Sequence, residues 1–448
     1  MPQKILKQKN YVKKYKICVV GAGHVGLVAA ACFAELGHSV ICADNDKKRI
    51  ESLKKLNLPF YEPELEPLVT KNFKKKSLSF SYSLDTAIKK SEVIFIAVGT
   101  PPQDDGSADL TSIENVARVI AKNLNSYKLI VEKSTVPVQT GRKVKETIYR
   151  YKKNNLDFDV ASNPEFLREG KAVYDFFSPD RIVIGVESER AEKILKEIYF
   201  SLKAPIIVAD INTAELIKHA SNSFLAAKIS FINAVSRVCD LAGADVMKVA
   251  DAMGLDKRIG RDFLQAGAGY GGFCFPKDVE AFLHISKKLG YHFGMLKEVK
   301  KVNDEQRVYF VEKIKEHLWV LKHKKIAVLG LAFKPDTDDM RFAPSIDIVN
   351  FFLKEGAEAT LYDPQAKNEA KAIFGKGKKS KAKFSKNPYE AVKDCDCVCF
   401  LTEWDEFKKL DFKRIKGLMH YPLVVDGRNM FERDSLTGLG FEYIGIGR

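Results

Sequence analysis

Three things are missing from this sequence: a C-x-x-C pair, a long apolar run and any recognised nucleic-acid motif. Eight cysteines stand at positions 18, 32, 42, 239, 274, 395, 397 and 399, none in C-x-x-C spacing. Cys395, Cys397 and Cys399 alternate in DCDCVCF, which puts all three on one face of a strand, a pattern of packing rather than of metal binding. They read as reduced thiols of a cytoplasmic protein, with no metal. No apolar run approaches the roughly 20 residues that cross a bilayer, and the N-terminus lacks a signal-peptide core, so no membrane partner is expected. The net charge of +15 raises nucleic acid as a partner. The lysines are scattered, however, with one cluster in KGKKSKAK at 376–383, and no nucleic acid is expected. A basic surface serves anionic small ligands equally well.

What is present is a soluble-type composition, 46% hydrophobic and 29% charged, over 448 residues. That length exceeds one core and calls for two or three domains. Residues 1–15 form a lysine-rich extension with no assigned role.

From Lys16 the sequence reads KICVVGAGHVGLVAAACFAELGHSVICAD. A buried strand (Ile17 to Val20) leads into Gly21, Gly23 and Gly26 in G-x-G-x-x-G spacing, then an apolar helix closed by Gly37, then a second strand ending at Asp44. The first glycine makes the tight turn, the second admits a pyrophosphate, and the third lets helix pack on strand. The pyrophosphate would sit at the helix N-terminus, where unpaired N–H groups favour negative charge. Asp44 can accept from a ribose diol and repel a 2′-phosphate, which argues for NAD over NADP, with Arg49 nearby weakening the point. Further strands, Val93 to Val98 and Leu129 to Glu132, lead into Thr100 and Thr135, which either touch the cofactor or only shape turns before proline. NPEFLREG places Glu165 and Glu169 on the same crevice edge, Glu165 as a candidate base or as a helix-start carboxylate.

Thr213 to Leu241 has helical apolar spacing with no internal proline or glycine and Gly243 as a stop. Lys218 and Asn222 lie one turn apart on it. A partly buried lysine there would have its pKa lowered toward a proton-transfer range; the alternative is a solvated lysine on a wet face. Next comes RIGRDFLQAGAGYGGFCFPKD. Its dense glycines would offer open N–H groups as an anion cradle. Cys274 follows, with Lys277 able to lower its pKa and Asp278 to move a proton, unless the cysteine is an ordinary buried one in a turn.

A second unit begins at KKIAVLGLAF, with a helix from Pro344 to Lys354 and strands at Ala359 to Tyr362, Cys397 to Thr402 and, last, Leu423 to Asp426. The full glycine fingerprint is absent, so this unit should bind something other than a dinucleotide. Lys334 and Arg428 follow strand ends, where phosphate or sugar hydroxyls could be met.

In order, GAGHVG, VGTPP, EKSTVPV, NPEFLREG, AELIKHASNSFLAAKISFIN, DKRIGRDFLQAGAGYGGFCFPKD, LGLAFKPDTDD and VVDGRN resemble the nucleotide-sugar 6-dehydrogenases of the UDP-glucose/GDP-mannose dehydrogenase family. The UDP-glucose 6-dehydrogenases are the nearest in pattern, and the resemblance runs from Lys16 to the end. It implies an α/β fold of two Rossmann-like doubly wound parallel-sheet domains joined by a long central helix. The domains would be 16–208 for NAD, 209–305 as a helical dimerisation domain, and 306–448 for the UDP-sugar. It implies a homodimer or higher homo-oligomer and a four-electron oxidation of a primary alcohol to a carboxylate. Cys274 would capture the aldehyde as a thiohemiacetal and pass through a thioester. Lys218 and Asn222 would steady the oxyanion, while Asp278 with Lys218 or Glu165 would handle protons and Thr135 hold water or cofactor.

On the cofactor side the resemblance implies contacts from Gly21, Gly23, His24, Val25, Gly26, Asp44, Arg49, Thr100, Thr135, Glu169, Lys277 and Arg341. On the sugar side it implies Glu165, Phe166, Leu167, Lys218, Asn222, then Phe263, Leu264, Gln265, Tyr270 and Gly271, then Lys334 and Arg428, with Arg258 reaching across from a partner subunit. Phe273 departs from the serine that many relatives carry. The competing readings are a dehydrogenase of GDP-mannose or a UDP-N-acetylhexosamine, a non-catalytic sensor of NAD and nucleotide sugar, and a basic scaffold. A sensor would be expected to have lost some of Cys274, Lys218, Asn222 and Asp278.

Overall fold

The computed structural model describes residues 13–375 and 382–448. Most of the basic extension, and the 376–383 cluster except its last two positions, lie outside the described residues. The chain divides into two compact units. One holds the described residues up to Gln103 together with Ala108–Lys218, and the other holds Asp104–Ser107 and His219–Arg448.

In the first unit eight strands form one sheet: β1 Lys16–Val20, β2 Ser39–Ala43, β3 Leu78–Ser81, β4 Val93–Ile96, β5 Lys128–Glu132, β6 Phe158–Ser162, β7 Ile182–Gly185 and β8 Ile206–Ala209. Their order is β3-β2-β1-β4-β5-β6-β7-β8. All pairings are parallel except β6 with β7, which meet antiparallel at Ser162 and Gly185. The second unit carries β9 Lys325–Leu329, β10 Glu358–Tyr362, β11 Ala382–Phe384, β12 Cys397–Phe400, β13 Leu423–Asp426 and β14 Glu442–Ile444. Its order, β11-β10-β9-β12-β13-β14, repeats that of the first six strands of the other sheet. Both are the doubly wound arrangement whose ligand crevice lies beyond the strand C-termini at the switch between β1 and β4, or β9 and β12.

Covered faces explain the near-continuous apolar runs in these strands. Ile17 and Val19 of β1 enter one core layer, and Cys18 and Val20 the opposite one. Cys397 and Cys399 of β12 enter one layer, and Val398 and Phe400 the other. A parallel strand buried on both faces has no wet side to alternate with. Cys397 and Cys399 therefore share a face, with their sulfurs 3.7 Å apart. Cys395 does not join them, because it precedes the strand and packs in the opposite layer. Nor is β13 the final strand: the three-residue β14 follows it and pairs in parallel.

The long helix runs Ile211–Ala242, about 48 Å at 1.5 Å per residue. Asp210 begins it by accepting from the Thr213 N–H at 2.9 Å. Gly243, at φ +67°, ends it in a left-handed conformation that suits glycine. The long helix passes from the first unit into the second at Lys218, and another long helix, Gly294–Leu318, lies wholly in the second. Among the described residues no helix is long and apolar enough to cross a membrane.

Candidate active site

The glycine turn of the first unit separates into packing glycines and an open one. Gly21 holds φ +105°, and a Cβ there would lie 2.4 Å from the Ala97 carbonyl oxygen. A Cβ on Gly26 would lie 1.9 Å from the Gly21 oxygen. A Cβ on Gly23 would meet nothing within 4 Å, so this position faces open space at the start of the helix His24–Glu35. Two glycines close the turn, and the third leaves room for a ligand beside the helix N–H groups. Asp44 is tied into the turn: it accepts from the Ala22 N–H at 2.8 Å and pairs with Arg49 at 3.1 Å. Residues of this kind fit a dinucleotide, with Gly23 and the helix start toward its pyrophosphate and Asp44 toward a ribose.

At the other strand ends, Thr100 donates to the Thr135 carbonyl at 2.9 Å, so its hydroxyl ties two turns together. Lys218 is buried rather than solvated, 3.1 Å from Glu165 and 5.2 Å over the Phe166 ring. The second Glu165 oxygen accepts from the Leu167 N–H at 2.6 Å. Lys133, which the sequence reading passed over, is buried and donates to Asn163 Oδ1 at 3.1 Å. Burial, with Lys218 adding repulsion and Glu165 opposing both, lowers its pKa to about 8. Glu215, one turn before Lys218, accepts from the Gln139 and Gly141 N–H groups at 2.6 and 2.7 Å. Burial nevertheless raises its pKa to about 7. It thereby pins the segment after Thr135 to the long helix.

In the second unit the glycine-rich run is a packing device rather than an open cradle. The Gly267, Ala268, Tyr270 and Gly272 N–H groups are taken by Asn233, Gly427, Asn303 and Arg341. A Cβ on Gly271 would lie 2.3 Å from the Phe342 oxygen. The glycines let the run pass between two helices and the C-terminal sheet, delivering the chain to Cys274. Cys274 is the first residue of the helix Cys274–Lys288 and is partly exposed. Asp278, one turn on, is buried between Lys277 Nζ and Asn222 Nδ2, each at 2.6 Å. Lys277 is thus committed to a carboxylate. The Phe273 ring lies under the Arg341 guanidinium at 4.4 Å, and Arg341 also pairs with Asp339.

Arg428 holds this neighbourhood together by donating to the Leu401, Gly269 and Phe333 carbonyls at 2.8, 3.2 and 3.0 Å. Those bonds occupy three of its five N–H groups. Gln265 donates to the Arg428 carbonyl, Leu264 and Tyr270 are buried, and Phe263 packs at 6.1 Å from Phe275. Lys334 extends over Phe333. Arg258 is exposed and pairs with Asp256. The turn after β9 mirrors the first unit's: a Cβ on Gly330 would meet Thr402 N at 2.6 Å. Here the acid ending the second strand, Asp363, is buried and accepts from Leu331, Ala332 and the Trp404 indole. Asp363 thus spends its carboxylate on its own turn and on Trp404. Among the described residues no cluster has the make-up of a metal site.

Comparison with known proteins gives a consistent result. Domain models of the UDP-glucose/GDP-mannose dehydrogenase family match residues 15–203 as its NAD binding domain, 212–305 as its central domain and 327–433 as its UDP binding domain. The UDP-glucose 6-dehydrogenase TuaD of Bacillus subtilis is 46% identical over 433 residues, covering 97% of this chain and 93% of that protein. A UDP-glucose 6-dehydrogenase of Rhizobium meliloti is 45% identical over 441 residues, covering 97% and 99%. Among solved structures, a UDP-glucose dehydrogenase from Pyrobaculum islandicum superposes with a TM-score of 0.90 at 38% identity, covering 98% of this chain and 99% of that one. A UDP-D-ManNAc dehydrogenase from Pyrococcus horikoshii does so at 0.85 and 26% identity, covering 96% and 99%.

Proposed function

The chain belongs to the UDP-glucose/GDP-mannose dehydrogenase family, and from that premise we propose that it oxidises UDP-glucose to UDP-glucuronate with NAD in two steps at one carbon. The observation that carries the reading is a partly exposed thiol opening a helix, with a buried carboxylate one turn on that is held by Asn222. A single oxidation to an aldehyde would need no nucleophile.

NAD, when bound, supplies the hydride acceptor for each oxidation. In the first, the sugar's CH₂OH loses a proton from oxygen and a hydride from carbon, leaving an aldehyde. The Cys274 sulfur adds to that carbonyl carbon to form a thiohemiacetal, at a helix start that favours negative charge. Loss of a second hydride from the same carbon gives a thioester, and water cleaves it to carboxylate and thiol. The sum is alcohol, two NAD⁺ and water giving carboxylate, two NADH and three protons. Lys218 and Asn222, one turn apart on a continuous helix, steady the oxyanion. Glu165, 3.1 Å from the Lys218 ammonium, holds it in place, and Asp278 moves protons between the sugar and water. Thr135 orients the hydrolytic water or the nicotinamide end. With the Gly267, Ala268 and Tyr270 N–H groups taken within the fold, the sugar's diphosphate and uridine fall to side chains of the loop from Phe263 to Gly271 with Lys334 and Arg428, and Arg258 of the partner subunit completes the set.

The partner is a second copy of this chain. Phe224, Phe231 and Val238 recur every seven residues along the long helix and are 63%, 53% and 62% exposed, with Leu241 beside them at 90%. Such an apolar stripe is more than a monomer normally leaves to water. The compartment is the cytoplasm, in keeping with seven buried thiols, at 18, 32, 42, 239, 395, 397 and 399, that form no disulfide.

A panel of nucleotide sugars followed by NADH absorbance tests the substrate. UDP-glucose should exceed GDP-mannose and UDP-N-acetylmannosamine in kcat/KM by at least about tenfold, roughly 1.4 kcal/mol of transition-state discrimination. A preference for either of the others would overturn the choice of hexose.

A further inference from the structure

Glu62 belongs to neither the glycine turn nor the NPEFLREG loop, yet it touches both. Its side chain is wholly buried. One oxygen accepts from the Ala172 N–H at 2.8 Å, and the other accepts from the Gly170 N–H at 2.8 Å and lies 2.6 Å from His24 Nε2. His24 is the first residue of the helix that opens at the glycine turn, the end that receives the dinucleotide. Gly170 closes the loop that carries Glu165 and Glu169. A buried carboxylate is costly to strand, so breaking any of these three contacts leaves the others poorly satisfied. Movement in either loop is therefore resisted by the other.

We propose that Glu62 is a positioning residue that locks the glycine turn to residues 165–170, so that NAD and nucleotide sugar strengthen each other's binding. The inference rests on the functional reading above. His24 contributes charge to the same junction. The Phe60 ring packs 4.8 Å from its imidazole, and the acids Glu62, Glu165 and Glu169 surround it electrostatically. Burial pulls its pKa down, but the hydrogen bond to Glu62 and the three carboxylates together leave it above the ordinary value. An imidazolium at this place attracts the dinucleotide's phosphates, and the attraction fades as pH rises and the ring loses its proton.

NADH, which cannot turn over with UDP-glucose, separates binding from catalysis. Its Kd is measured by calorimetry with and without saturating UDP-glucose, from pH 6 to 9, for wild type, Glu62→Gln and His24→Gln. For wild type, NADH should bind at least about fivefold more tightly with the sugar present, an ordinary coupling between sites. In Glu62→Gln that factor should fall below about twofold, and the alkaline weakening of NADH binding should begin at lower pH. In His24→Gln the pH dependence should be lost. Wild-type coupling retained by a Glu62→Gln protein that melts normally, or a wild-type pH slope retained by His24→Gln, overturns the proposal. If Glu62→Gln does not fold, the His24→Gln slope decides. If wild type binds NADH but not UDP-glucose, the functional reading fails, and the pH arm still decides the role of the Glu62–His24 pair.

Discussion

Two glycines five residues or fewer from one another should respond in opposite ways to the same methyl group. At Gly26 an alanine Cβ would sit 1.9 Å from a backbone oxygen of Gly21. No rotamer relieves a clash with backbone, so the turn itself must open. Overpacking of this kind costs roughly 1–3 kcal/mol, which for a unit of this size lowers Tm by roughly 2–4 °C per kcal/mol. At Gly23, φ is −77° and a Cβ meets nothing within 4 Å. Alanine there is conformationally allowed and should leave stability unchanged or raise it by about 0.4–1 kcal/mol through the unfolded chain. Its methyl would, however, occupy the space left for the pyrophosphate. Losing one charge-assisted N–H contact, at about 1.5–3 kcal/mol, weakens NAD binding by roughly 10- to 150-fold. The assay is a melting curve without ligand and an NAD titration on each variant. A Gly23→Ala protein that melts normally and binds NAD normally would refute the assignment of the open glycine. So would one that is as destabilised as Gly26→Ala.

Asp44→Ala removes the acceptor that holds Ala22 and frees Arg49; NAD affinity should fall while relative use of NADP rises, and an unchanged NAD-to-NADP ratio would take Asp44 off the ribose. Asp426, buried at the end of β13, has its pKa raised by burial from 3.8 to about 6. The folded state then holds this proton more tightly than the unfolded one, so the residue's contribution to stability is full below about pH 4 and is lost as pH rises through 6. Between 3.8 and about 6 this amounts to about 3 kcal/mol. Calorimetry of wild type against Asp426→Asn from pH 4 to 7 should record that decline, and a difference independent of pH would contradict it. Phe231→Glu puts a charge in the middle of the apolar stripe; light scattering should find the mass halved with the melting curve of the monomer units little changed, and an unaltered mass would remove the stripe from the interface.

Much of this was legible in the chain because local chemistry and fold agree. GAGHVG between a buried strand and an apolar helix is found in that arrangement, and Pro344 to Lys354 is helical to the residue. Lys218 beside Asn222 could be placed on one helix face but not on its buried side, since the pairing with Glu165 comes from a segment about fifty residues away. The glycine-rich run misled for a related reason. Glycines open a backbone to a ligand or to a neighbouring chain equally, and here Asn233, Asn303 and Gly427 take the N–H groups from distant segments. Glu62 and Lys133 gave no signal at all, because a lone acid or lysine in sequence carries no trace of burial. β14 was too short, and β7 and β8 too plain, to stand out by pattern.

The central claim is that one carbon is oxidised twice on Cys274, and the NADH formed from a limiting amount of UDP-glucose tests it most directly. Wild type should yield two NADH per sugar, and Cys274→Ser at most one. A wild-type yield of one, or a yield of two from the serine protein at the wild-type rate, would contradict the account.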